Sequence, residues 1–159
     1  MKKLYVMCGG PGSGKSTWIK KNLPTFKGYT KVVSRDEIRF SLVKEDEEYF
    51  SKEKEVFRKF IEEIKEGIKN CDSVIADATH LNVGSRTKLL RALGESLKDV
   101  EVIAVVISVP LCLALEQNEQ RAGTRSYVPP TAIKNMFNSF TMPKEEEGFN
   151  YIMIERRMN

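Results

Sequence analysis

Gly9-Gly10-Pro11-Gly12-Ser13-Gly14-Lys15-Ser16-Thr17 decides how the rest of the chain is read. It fits the pattern of glycine, four residues, Gly-Lys, then Ser or Thr. The apolar run Leu4 to Cys8 ahead of it predicts a short buried strand, and Ser16 to Asn22 predicts the start of a helix. Strand, glycine turn and helix form the setting such a loop needs. A loop around closely spaced phosphate charges must aim many N–H groups inward, and glycine turns that tightly without a Cβ clash. The following helix adds the positive end of its dipole. Lys15 is expected to reach the β- and γ-phosphates of ATP, and the Ser16 hydroxyl to ligate Mg²⁺. Gly10, Pro11, Gly12, Ser13, Gly14 and Thr17 complete the expected cradle.

The 159 residues suggest one domain, 1–159, long enough for a substantial core. A charged fraction of 30% beside 41% hydrophobic residues fits a globular, soluble chain. The net charge of +4 is compatible with an anionic partner and also common without one. Cys8, Cys71 and Cys112 are isolated and read as core thiols of a reducing cytoplasm, with neither a disulfide frame nor a zinc site. No secretory leader is recognisable, and the longest apolar run, Val102 to Ile107, is far too short to cross a membrane. The expected location is cytoplasmic.

Further strands are expected at Lys31 to Val33, Ser73 to Ala76, Val100 to Val109 and Tyr151 to Ile154, with Val100 to Val109 central. Ser34 and Glu37 suggest a capping box opening a helix to about Val43. Phe57, Phe60, Ile61, Ile64 and Ile68 recur at helical spacing between Phe50 and Asn70. Asn82 is a candidate cap for a helix with Leu90, Leu93 and Leu97 inward, and Pro110 opens another to about Arg121. Ile133, Met136, Phe137 and Phe140 share a helical face, while Arg156 and Arg157 read as a ragged basic tail. Five strands alternating with helices imply a three-layer α/β fold with a parallel sheet and the glycine loop at its carboxyl edge.

The acceptor side rests on fewer residues. Asp36 and Arg39, three apart, share a helical face just after the second strand. A carboxylate there can accept a proton from an attacking hydroxyl, and an arginine beside it can fork onto an anionic group. An intrahelical ion pair of small value explains the same spacing, and spacing alone leaves both open. Asp77 ends the third strand, where it can hold Mg²⁺ through water or simply form a turn. His80, the only histidine, reads as a loop residue. Arg121 and Arg125 fall where a small kinase carries a mobile lid, roughly residues 115–130, and a lid arginine neutralises charge on a transferred phosphoryl group.

Taken together, Gly9 to Trp18, Arg35-Asp36-Glu37-Ile38-Arg39, Asp77 to Asn82 with Arg86, and Asn118-Glu119-Gln120-Arg121 with Gly123 and Val128-Pro129 resemble the kinase domain of the phage-type 5′-polynucleotide kinases. The pieces follow the family order and span nearly the whole chain. The resemblance implies a P-loop kinase fold with a helical lid, using ATP and Mg²⁺. It implies Lys15 and Ser16 on phosphates and metal, Asp36 as general base, and Arg39 on the phosphate 3′ of the terminal nucleoside. Arg121, with Arg125, would bind donor phosphates, and Asp77 would support the centre. Arg35 and Arg86 would lie on the substrate side. The implied partner is a 5′-hydroxyl end of single-stranded DNA or RNA, in nucleic acid repair. The chain has no Asp-x-Asp motif for a phosphatase domain, so any phosphatase or ligase is expected as a separate chain. The alternative keeps the site and changes the acceptor to a small hydroxyl compound: a nucleoside, sugar, antibiotic or aminoacyl-tRNA. A third class is a nucleotide-dependent switch without transfer.

Overall fold

The computed structural model describes residues 1–157. Five parallel strands, β1 (Lys2–Cys8), β2 (Thr30–Ser34), β3 (Ser73–Asp77), β4 (Val100–Ser108) and β5 (Tyr151–Arg156), form one sheet in the order β2-β3-β1-β4-β5. The expectation that the fourth strand is central is corrected: β1 takes the middle and β4 flanks it. Both are apolar throughout their buried stretch because helices cover both faces of a parallel sheet.

The two-residue period of a strand divides the core. Leu4, Val6 and Cys8 of β1 point to one face and pack with Val56, Phe60, Ile61, Ile64 and Ile68 of α3 (Glu53–Asn70) and with Leu89 and Leu93 of α4 (Val83–Leu93). Tyr5 and Met7 point the other way, against Trp18 and Ile19 of α1 (Lys15–Asn22). Each large side chain so buried contributes about 1.5–3 kcal/mol. This produces the expected three layers.

The caps follow sequence chemistry. Ser34 Oγ accepts from Glu37 N at 3.2 Å at the start of α2 (Arg35–Leu42). At α4, Asn82 and Ser85 form a reciprocal capping box. Helix α5 (Leu111–Glu119) ends before the expected Arg121, and α6 starts at Pro130 (Pro130–Ser139). The segment between them, expected as part of a helical lid, is hydrogen-bonded turns rather than helix. Fully buried Asn118 holds both ends of it: its side-chain amide donates to Val128 O at 2.6 Å and accepts from Val128 N at 3.0 Å. Among the described residues no helix is long and apolar enough to cross a membrane.

Candidate nucleotide and acceptor site

The glycine loop leaves β1 at the sheet's carboxyl edge and enters α1. Gly12 and Gly14 have φ of 76° and 100°, a left-handed backbone that side chains disfavour. A Cβ on Gly12 would also sit 2.6 Å from Ala114 O, so the loop lies directly on α5. Gly9 N donates to Thr79 O at 2.9 Å, tying the loop to the segment after β3. Lys15 Nζ curls back to Gly9 O and Gly10 O at 3.1 and 3.2 Å. Burial lowers the Lys15 pKa; the carboxylates of Asp77 and Asp36 oppose that, and Arg121 adds to it. An arriving polyphosphate would supply the countercharge this ammonium lacks. Asp77 is shifted upward, first by burial, with Lys15 opposing and Asp36 and Glu37 adding. Lys15 thus feels the charges of Asp77, Asp36 and Arg121, and Asp77 those of Lys15, Asp36 and Glu37. Ser13 Oγ is buried without a hydrogen-bond partner, leaving a hydroxyl inside the loop for a ligand oxygen.

Beneath the loop, His80 is buried rather than a loop-surface residue, with φ of 43°. Its Nδ1 is 2.7 Å from Met7 O, and burial pushes its pKa down to about 4, so the ring is neutral at pH 7. Arg86 is corrected from a substrate-side residue to a strut. It is wholly buried, with Nε on Glu147 Oε1 at 2.7 Å, Nη1 on His80 O at 3.0 Å and Nη2 on Thr141 Oγ1 at 3.2 Å. It has no surface to offer an acceptor.

Two further corrections concern the C-terminal segment and the cysteines. Arg156 belongs to β5. Arg157 N donates to Ser108 O at 2.8 Å, and its Nη1 donates to Ser13 O at 3.0 Å. Its guanidinium fills the space where a Cβ on Gly14 would lie. Gln117, with its amide oriented to satisfy both neighbours, donates to Gly12 O and accepts from Arg157 Nη2 at 3.2 Å. Residues that follow a parallel strand emerge at the edge where such sheets bind ligands, and that rule was the available signal for Arg157. Of the cysteines, Cys8 is a core thiol, whereas Cys112 is exposed.

The acceptor arm is a network of charged side chains. Arg39 Nη1 donates to Asp36 Oδ1 at 2.5 Å and to Tyr49 Oη at 2.9 Å. Its Nε and Nη2 reach Glu53 Oε1 and Oε2 at 2.7 and 3.1 Å. Tyr49 Oη donates to Asp36 Oδ1 at 2.8 Å. The intrahelical ion pair is therefore present, and the Arg39 fork is occupied by Glu53. Burial works against the Arg39 charge, but the Glu53 hydrogen bond and the charges around it outweigh that and hold its pKa high. Burial and Asp36 push the Tyr49 phenol up to about 12. Asp36 itself faces solvent, with 61% of its side chain exposed. Arg35 donates to Glu53 at 3.1 Å and lies over the Phe57 ring, leaving Nε buried without a partner. Arg125 sits on this arm too: Nη2 donates to Val43 O at 2.7 Å and the guanidinium lies 4.6 Å from the Phe40 ring centre. Sequence reasoning missed Tyr49 and Glu53, which sit in a run of charged residues without periodicity.

A phosphate cradle on a parallel sheet, with a carboxylate arm beside it, defines a P-loop kinase-type domain, which binds a nucleotide. Residues 4–143 match the AAA_33 family, described as an AAA domain, and the chain belongs to it. No curated protein is significantly similar. Among solved structures the chain is similar to one in the Pnkp1/Rnl/Hen1 RNA repair complex, at 23% identity and a TM-score of 0.64, covering 87% of this chain and 43% of that one. It is also similar to a fungal RNA kinase (9%, 0.66, covering 99% and 78%). A sugar kinase from Janibacter sp. HTCC2649 is alike to the same degree (13%, 0.65, covering 98% and 85%). The chain spans less than half the length of the RNA-repair chain, and all three likenesses establish the fold alone.

Proposed function

We propose that this domain transfers the γ-phosphate of ATP to the 5′-hydroxyl of a DNA or RNA end. The carrying observation is Asp36: a solvent-facing carboxylate, braced by Arg39 and Tyr49, whose charge bears on the loop lysine. In a loose phosphoryl-transfer transition state the alcohol loses its proton late, so a correctly held carboxylate suffices as the base. Lys15 and Arg121 would neutralise the donor phosphates, with the free Ser13 hydroxyl adding a hydrogen bond.

Among the described residues no group of three or more His, Cys, Asp or Glu is arranged to hold a metal. Mg²⁺ keeps several waters and binds through one or two protein oxygens and the phosphates. Ser16 and Asp77 would hold it, and it would supply charge neutralisation across the β- and γ-phosphates.

A second reading, a small hydroxyl acceptor, draws on the occupied Arg39 fork: a group already saturated by Glu53 is a poor phosphate grip. Incubation with radiolabelled ATP against 5′-hydroxyl oligonucleotides and a panel of nucleosides, sugars and antibiotics separates the two. Label on the oligonucleotides is the expected result. Label on small molecules only would remove the polynucleotide assignment, and ATP binding with no labelled acceptor would favour a switch.

A further inference from the structure

The sequence carries no evident base-stacking motif, but the fold brings aromatic and arginine side chains from separate segments together. A cleft of about 400 Å³ opens between the acceptor arm and the lid, lined by Phe40, Val43, Lys44, Tyr49 and Thr124 together with Arg125. Two aromatic rings, Phe40 and Tyr49, line it and are partly exposed, with Phe50 beside them outside the lining. Tyr49 is half-buried, and its ring stands edge-on to Phe50 at 4.6 Å and to Phe40 at 6.4 Å. Phe50 is 59% exposed. Guanidinium groups cover these rings: Arg39 lies 4.5 Å from the Tyr49 centre and 5.4 Å from that of Phe50, and Arg125 lies over Phe40.

The geometry points to this cleft as the subsite for the terminal base of the acceptor strand, a specificity site that rests on the polynucleotide reading above. Every nucleobase has a π-face, and aromatic rings beside arginine planes are what such faces stack on. The cleft carries both signs of charge, Arg39, Lys44 and Arg125 against Glu45 and Glu47, so the pull on an anionic strand is modest and the rings carry the recognition. The ring that lines the cleft also carries the hydroxyl bound to Asp36. A base held against Phe40 and Tyr49 therefore places its own sugar at the carboxylate, and its 5′-hydroxyl takes the hydrogen bond that Tyr49 Oη makes to Asp36. Arg125, anchored on the Val43 carbonyl, closes the cleft from the lid side and joins base capture to lid position.

The test compares two 5′-hydroxyl oligonucleotides, identical except that the first nucleotide carries a base in one and is abasic in the other. Stacking on an aromatic side chain gives the base-bearing strand an advantage of about tenfold or more in kcat/KM, mainly through KM. Phe40→Leu and Tyr49→Leu bring that ratio toward unity, and Tyr49→Phe, which keeps the ring, preserves it. A 2-aminopurine at the first position should be quenched on binding wild type, a readout that needs no variant. Equal kcat/KM for both oligonucleotides in wild type would overturn the stacking subsite and leave the polynucleotide kinase standing. A ratio untouched by both leucine variants would overturn it as well. Transfer to neither oligonucleotide would overturn both readings together.

Discussion

The donor cradle and the acceptor arm share one sheet edge but are built from different material. The cradle is mostly backbone: its donors, its left-handed glycines and its helix start come from nine consecutive residues, 9–17. The arm is mostly side chain, with Asp36 and Arg39 on α2, Tyr49 in the following loop, Glu53 at the start of α3 and Arg125 between α5 and α6. Backbone geometry is set locally by which residues lack a Cβ. A side-chain network exists only after distant segments meet. The two regions should consequently fail in different ways.

The largest expected effect lies on the arm. Asp36→Asn keeps the shape and removes the proton acceptor, so kcat should fall by about 10²–10⁴-fold. Nucleotide affinity measured by calorimetry should hold, because the cradle is untouched. A variant that transfers at near wild-type rate would remove the general-base role.

Next comes the support beneath the cradle. His80 has a pKa of about 4 when folded, below the ordinary value of 6.5. Above the ordinary value the ring is neutral in both states. As pH falls from 6.5 toward 4 the unfolded chain takes up the proton first and stability drains away, by about 3 kcal/mol at the bottom of that window. His80→Asn should flatten this part of the pH–stability curve measured by chemical denaturation. An unchanged slope would mean that the ring titrates normally.

A smaller effect should come from Glu53→Gln, which frees the Arg39 fork from its strongest partner. A charge-assisted bond of this kind contributes about 1.5–3 kcal/mol, discounted here because Glu53 is partly exposed. The acceptor KM should rise by about tenfold as Arg39 and Asp36 lose their alignment. A fall in KM would instead show that Glu53 competes with an acceptor phosphate for Arg39. Smallest is Arg157→Ala, which removes one bond to the loop and should weaken nucleotide binding by about threefold. Loss confined to acceptor KM would detach Arg157 from the cradle.

The same contrast explains what was legible beforehand. The glycine loop, the Ser34 and Asn82 caps and the i, i+3, i+4 face of α3 are short-range patterns, and each appears in the fold where its spacing placed it. Asp36 and Arg39 were visible as a pair for the same reason. Arg86 misled because the resemblance put it on the substrate side, and its partner Glu147, 61 residues away, leaves no local trace in the sequence. Arg157 misled in the opposite direction: two arginines after the last strand look like solvated charge unless the strand order puts that strand beside β4 and its end beside the loop. Tyr49 and Glu53 carried no local signal, since their roles depend on a turn that folds the charged stretch back over α2.

Strand β2 is the outermost strand on its side and pairs only with β3. The charged network of Asp36, Arg39, Tyr49 and Glu53, proposed as the acceptor side, follows this margin in the chain, whereas the glycine loop is rooted in the middle strand. Residues 35–52 lie outside the β2–β3 ladder, so exchanging them leaves the pairing of the sheet as it is. A chimera that exchanges residues 35–52 for the matching piece of another P-loop kinase should therefore fold and keep its donor while changing what it phosphorylates.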